Sequence, residues 1–257
     1  MNLEHSTFIP LLEDFCNETS NLGKTDGIPS AFLPHTMSGY ADAERKIFYF
    51  GQDTNGWGDI KELLESHNNN GLESYINDTK EWLNELGFLE YNNNKSFGFW
   101  TLITQLHLRL KGVKEQVSAS FFLEPEYKNL LNDFGWGNTN CIEIQKSLEN
   151  RNVWNNLDKE VYREVKQKSK SFDKLIHTIN AFKPDLVFIF NWGCDEKAFL
   201  EGLEYQETKH SLLNGKLYTY QLPETNTKVI WTMHPRSLSF EGLNITSLID
   251  ILVEFAK

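Results

Sequence analysis

Two short loops carry the residues of this sequence best suited to chemistry. Gly51-Gln52-Asp53-Thr54-Asn55-Gly56-Trp57 follows the apolar run Lys46 to Phe50 (KIFYF), and His234-Pro235-Arg236-Ser237-Leu238-Ser239 follows Lys228 to Met233 (KVIWTM). The first offers a carboxylate, the second an imidazole. If both runs are parallel strands of one sheet, Asp53 and His234 emerge on the same edge, because ligands of open α/β sheets bind beyond the carboxyl ends of the strands. Asn138, Asn140, Asn191 and Trp192 are expected to border that crevice. A carboxylate, an imidazole, amides and aromatic rings together suit a planar polar ligand.

Taken singly, each residue has a plainer reading. Asp53 could cap a following helix, and His234 could be a turn residue bonded to a neighbouring carbonyl. Trp57, Phe99, Trp100 and Trp192 fit a core as well as a stacking platform. The basic stretch Lys159, Arg163, Lys166, Lys168, Lys170 and Lys174 reads as a solvated helix face. What singles out Asp53 and His234 is the conjunction: both follow strong strands and both sit in loops shaped by Gly or Pro.

The elements that must position them are legible from patterning. Lys46 to Phe50, Asp185 to Phe190 (DLVFIF) and Lys228 to Met233 are continuous apolar runs, as expected of parallel strands covered on both faces. Trp136 to Ile144 is a weaker fourth strand, and the alternating Lys216 to Leu222 reads as an antiparallel edge strand or hairpin arm. Helices are expected at Leu72 to Leu86, Phe99 to Leu110, Glu124 to Asp133, Leu157 to Phe182, Asp195 to Leu203 and Leu243 to Phe255, where apolar residues recur at three and four. Strands alternating with helices predict an α/β fold, a three-layer α/β/α sandwich with a central, mainly parallel four-stranded sheet. One domain over residues 1–257 is expected, with an N-terminal helical extension and a helical insertion at about 59–96 between Asn-rich loops.

Composition narrows the function classes. The 257 residues are 40% hydrophobic and 24% charged, as in an ordinary folded protein. No apolar run approaches the ~20 residues of a membrane helix, and the N-terminus lacks the pattern of a signal peptide, so a cytoplasmic address is expected. Cys16, Cys141 and Cys194 are too scattered for a disulfide framework or a zinc site. Lys plus Arg number 25 against 36 Asp plus Glu, a net charge of -11. Since phosphate neutralisation drives non-specific nucleic-acid affinity, any such role must rest on a local basic patch.

At its two loops the sequence resembles the uracil-DNA glycosylase superfamily. The hallmarks of that family are a first-strand loop GQD-P-Y-H and a last-strand loop HP-S-P-L-S, and here they read Gly51-Gln52-Asp53-Thr54-Asn55-Gly56 and His234-Pro235-Arg236-Ser237-Leu238-Ser239, in the family's order. DLVFIFNWG also resembles the family's strand ending in Trp-Gly, so the likeness runs from about Lys46 to Ser239. It implies hydrolysis of the N-glycosidic bond of uracil or another altered base in DNA, by a monomer using neither metal nor other cofactor. Asp53 would orient the attacking water and offset the sugar cation, and His234 would donate to the base carbonyl. Gly51, Gln52 and Asn55 would line the base pocket, Phe99 would stack on the flipped base, and Asn138 or Asn140 would read its edge, with Gln145 a further amide. Leu238 would stand as the wedge into the duplex, with Arg236, Ser237 and Ser239 on phosphate. Asn55 stands where the family has the tyrosine that excludes the thymine methyl, Thr54 and Gly56 replace a proline and a histidine, and Arg236 replaces a serine.

Two other classes stay open. A non-catalytic relative would bind a nucleobase, a nucleic acid or a protein partner in the same crevice. An unrelated α/β hydrolase would need a nucleophile loop G-x-S-x-G, which the sequence lacks.

Overall fold

The computed structural model describes residues 7–53, 56–85, 98–114, 125–192 and 197–257. Its strands are β1 (His35–Thr36), β2 (Ile47–Asp53), β3 (Phe134–Asn140), β4 (Leu186–Trp192), β5 (Gln206–His210), β6 (Leu217–Leu222) and β7 (Thr227–Met233), in one sheet ordered β1-β3-β2-β4-β7-β6-β5. The central β3, β2, β4 and β7 are parallel, whereas β1, β5 and β6 pair antiparallel to their neighbours. The four-stranded expectation is therefore corrected to a seven-stranded mixed sheet with a parallel centre. The additional strands carry little apolar signal: β1 has two residues, and four of the five in β5 are exposed. β6 is a hairpin arm between β5 and β7 rather than an edge strand.

The order places β3 on one side of β2 and β4 on the other, so the chain changes direction across the sheet at β2. Such a switch opens a crevice at the carboxyl ends of the strands. The three strongest apolar runs are indeed adjacent: β2 pairs with β4, and β4 with β7.

Helices cover both faces, which is why these runs are apolar on both sides. Among the described residues the helices of six residues or more are α1 (Ile9–Thr19), α2 (Ile60–Asn68), α3 (Leu72–Glu85), α4 (Phe99–Leu110), α5 (Pro125–Leu130), α6 (Gln145–Asn150), α7 (Lys159–Lys168), α8 (Leu175–Phe182) and α9 (Ile245–Ala256), with one further four-residue turn of helix at Leu212–Gly215. On one face Ile47, Tyr49, Phe188 and Phe190 pack with Leu102, Ile103 and Leu106 of α4 and Leu248 and Leu252 of α9. On the other, Phe48, Phe50, Val187 and Val229 pack with Leu175, Ile179 and Phe182 of α8. Truncating a fully buried ring such as Phe188 to Ala would cost ~3–5 kcal/mol. A third cluster joins α1, α2, α3 and α7 through Leu12, Ile60, Leu63, Ile76 and Val165, which gathers the N-terminal extension and the described part of the insertion.

β3 reads weakly in the sequence for a steric reason. Gly135 and Gly137 lie opposite Phe48 and Phe50 in the ladder, and a Cβ at Gly135 would fall 2.1 Å from the Phe48 ring. Apolar bulk on this strand is supplied by its neighbour.

The helix expected over Leu157 to Phe182 is broken at a 3-10 turn, Ser169–Ser171. Asp173 leaves the helical path to accept the Cys141 N–H at 2.7 Å, and its other oxygen meets Lys166. The helix expected over Asp195 to Leu203 appears only as a 3-10 turn at Ala198–Leu200, with residues 193–196, including Cys194, outside the described residues. Among the described residues no helix is long and apolar enough to cross a membrane.

Candidate active site

The carboxyl end of β2 is held close to β3, with Gly51 opposite Asn138 and Asp53 opposite Asn140. A Cβ on Gly51 would lie 2.9 Å from the Asn138 Oδ1 and 3.4 Å from the Phe99 ring. Absence of a side chain at this position lets an amide and an aromatic ring converge on the strand end. Phe99 opens α4, and the residue before it, Gly98, packs on the loop after β7: its Cβ position lies 3.5 Å from Arg236 Cγ and 3.7 Å from Pro235 Cβ. The Phe99 ring also meets Phe190 of β4, at 6.2 Å between centroids. Asn138, Gly51, Phe99 and the His234 loop thus form one continuous chain of contacts.

Asp53 is half-buried and its Oδ2 is already engaged. It accepts the Ser147 hydroxyl at 2.6 Å and the Ile144 N–H at 3.3 Å. Since Ile144 precedes α6, Asp53 does cap a helix, though one that follows β3 rather than its own strand. Among the described residues Oδ1 makes no hydrogen bond.

His234 is fixed by its own loop. Its Nδ1 accepts the Arg236 N–H at 3.2 Å, closing a 3-10 turn over Pro235–Ser237. Burial, helped by the nearby Arg236 charge, pushes the imidazole down to about 4. The ring is therefore neutral near pH 7, and with Nδ1 accepting, its proton sits on Nε2. His234 presents a neutral N–H donor.

Other expected residues have different duties. Asn140 is consumed internally: its amide donates to the Gln52 carbonyl at 3.0 Å, and its Oδ1 accepts from Lys166 at 2.8 Å. Gln145 donates to Glu149 on the surface. Asn191 accepts from the Trp231 indole at 2.6 Å and donates to Thr139 at 2.9 Å, and Thr139 donates to the Gly51 carbonyl. That network ties the ends of β7, β4, β3 and β2 together instead of lining the crevice. Asn138 is the amide that lies beside Phe99 at the Gly51 strand end. Asn55 and the Trp192 side chain lie outside the described residues.

The loop after His234 requires a correction. Leu238, expected as a projecting wedge, is 3% exposed and packs in the core, because the 3-10 turn rotates it inward. Arg236 and Ser239 are exposed and Ser237 is half-buried. The residue that projects is Phe240, 89% exposed on the next 3-10 turn, whose Glu241 is held by Lys216 and Asn214.

Sequence reading missed Ser147, Glu143 and Arg151. Glu143 is fully buried just beyond β3, bound through Oε2 to Arg151 Nη2 at 2.6 Å. An acidic residue in an apolar stretch, Ile142 to Ile144, was the available signal. Among the described residues no group of three or more His, Cys, Asp or Glu converges as metal ligands would. No protein-family model, curated protein or solved structure matches the chain.

Proposed function

We propose that the protein hydrolyses the N-glycosidic bond of uracil or another altered base in DNA, on a three-layer α/β/α scaffold. The observation that carries this reading is that Asp53 ends β2 and His234, a neutral donor, follows the parallel β7 at the same edge of the sheet, with Phe99 reaching Gly51 beside Asn138 and the preceding Gly98 packed on the His234 loop. Cleavage leaves positive charge on the sugar and negative charge on the base. An ionised carboxylate suits the first and a neutral donor the second. In this scheme the water oxygen bonds to C1′, its proton passes to Asp53, and the C1′–N electron pair leaves with the base. The departing oxyanion is held by His234 Nε2–H, while Phe99 stacks on the extruded base and Asn138 reads its edge. Gly51 and Gln52 line the floor. No step calls on a cofactor.

Contacts to DNA fall to Arg236, Ser237 and Ser239, and the role expected of Leu238 passes to the outward Phe240. The test is a panel of oligonucleotides carrying uracil, hypoxanthine, xanthine or thymine mismatches, treated with alkali to reveal abasic sites. Strand scission at one of these bases, abolished in Asp53→Asn, is the expected result. Intact strands throughout would leave the non-catalytic reading, in which Asp53 serves only as the cap of α6.

A further inference from the structure

Beside Asp53 lies a second charged pair that the proposed reaction does not use. Glu143 is fully buried; one carboxylate oxygen binds Arg151 and the Gly56 backbone N–H also favours its charged form, while among the described residues neither Oε1 nor the buried Arg151 Nε meets a partner in full hydrogen-bond geometry. Arg151 reaches back over Gly56, which has φ +89: a Cβ there would fall 2.6 Å from Arg151 Nη1. Asp53 in turn holds the N–H of Ile144, the residue next to Glu143. The Glu143 carbonyl accepts the Tyr162 hydroxyl at 2.8 Å, and Lys166 binds the Ile142 carbonyl while facing Asp173. Arg151 at the C-terminal end of α6, Asp53 from β2, Tyr162 from α7 and the Lys166–Asp173 pair are thus, among the described residues, the ionisable groups around this carboxylate.

We propose that Glu143 is a positioning residue: its buried carboxylate balances the Arg151 guanidinium packed on Gly56, so that Asp53 remains the net charge presented to a substrate. The inference rests on reading Asp53 as the charge-bearing group of the site. A half-buried guanidinium left unbalanced over Gly56, three residues after Asp53, would oppose the positive charge that develops on a sugar. Burial, with Asp53 nearby, raises the Glu143 carboxyl to about 7 despite Arg151. Balance is therefore complete only above neutrality, and the site's effective charge changes across the physiological range.

The first experiment is a titration of the full chain with 13C-carboxyl-labelled glutamate. A Glu143 midpoint near neutrality is expected, moving down in Asp53→Asn, which removes a like charge, and up in Arg151→Gln. A midpoint in the ordinary carboxylate range, or one indifferent to Asp53→Asn, would overturn the proposal. These readouts need no turnover, so they stand even if no base is ever released. The second is single-turnover base release against pH. Wild-type rates should rise through the Glu143 midpoint, and Glu143→Gln should lose that rise and run about tenfold slower above it, with substrate affinity little changed. Removing both charges in Glu143→Gln/Arg151→Gln should recover most of the rate. A double variant no faster than the single one, with both still folded by their melting curves, would mean that the pair only holds the loop and that the proposal is wrong.

Discussion

Two histidines with lowered proton affinity sit at opposite ends of the same sheet, one fully buried and one half-buried, and they differ in how their ring nitrogens are engaged. His107, in the last turn of α4, is fully buried near the amino ends of the strands. Its Nδ1 meets the Tyr49 hydroxyl at 3.0 Å and its Nε2 meets Asp133 at 2.7 Å, with Lys111 on the other Asp133 oxygen. Burial lowers its affinity for protons, as it does for His234. Yet His107 has both nitrogens occupied by fixed partners, whereas among the described residues only the Nδ1 of His234 is bonded, within its own turn. Perturbation alone does not mark a site, since the structural His107 is perturbed in the same direction as His234. One helix joins the two regions, since α4 starts with Phe99 at the crevice and reaches His107 eight residues, or roughly 12 Å, later.

The comparison is broken most directly by substituting the two histidines in turn. His234→Ala should lower single-turnover base release by about 10²–10³, as for loss of a donor to a developing oxyanion, with stability changed far less. His107→Ala should do the reverse: about 2–4 kcal/mol less stable to urea, through loss of packing and an unpaired buried Tyr49 hydroxyl, with the rate per folded molecule unchanged. Similar losses of rate in both variants would erase the distinction.

A smaller effect concerns pH. His234 falls from its ordinary 6.5 to about 4 on folding, so the unfolded chain binds the extra proton between those values and stability rises with pH across that window. Glu143 moves the other way, from 4.5 to about 7, so its contribution is present at low pH and lost as pH rises through about 7. Each is worth roughly 3 kcal/mol at full extent, and where the windows overlap they oppose each other. The wild-type unfolding free energy should accordingly be flatter between pH 4.5 and 6.5 than that of either variant. Glu143→Gln should slope upward with pH there and His234→Ala downward, measured by urea titration at each pH. Parallel curves for all three proteins would show that neither group is perturbed as described.

The smallest effects belong to the exposed loop. Arg236→Ala should flatten the dependence of log affinity on log salt by about one unit, as for one lost phosphate contact. Phe240→Ala should leave stability within about 0.5 kcal/mol yet weaken duplex cleavage more than single-strand cleavage, because only the duplex must be unstacked. Equal losses on both substrates would remove Phe240 from that role.

What the sequence disclosed follows from where its information is local. β2, β4 and β7 were legible because burial on both faces writes an unbroken apolar run. β5 was not, since a polar strand with four exposed residues owes its state to pairing with β6. Asp53 and His234 could be placed at the carboxyl edge of the sheet because one ends an apolar strand and the other directly follows one. Glu143 and Arg151 could not be tied to Asp53, because only the β2–β3 register brings them together. Leu238 and Phe240 were beyond reach for another reason: both are apolar in a short loop, and only the tertiary turn decides which points inward.

That register has a source in Gly135 and Gly137, whose missing side chains receive the rings of Phe48 and Phe50. Two notches and two teeth at matching spacing act as a key for strand order: a slip of one residue would drive Trp136 toward a phenylalanine ring and turn each buried side chain to the wrong face. The same key, cut in the middle of the strands, fixes Gly51 opposite Asn138 and Asp53 opposite Asn140 at their ends. Alignment of the crevice is thus inherited from a steric fit lying wholly within the hydrophobic interior, away from any group that could touch a substrate.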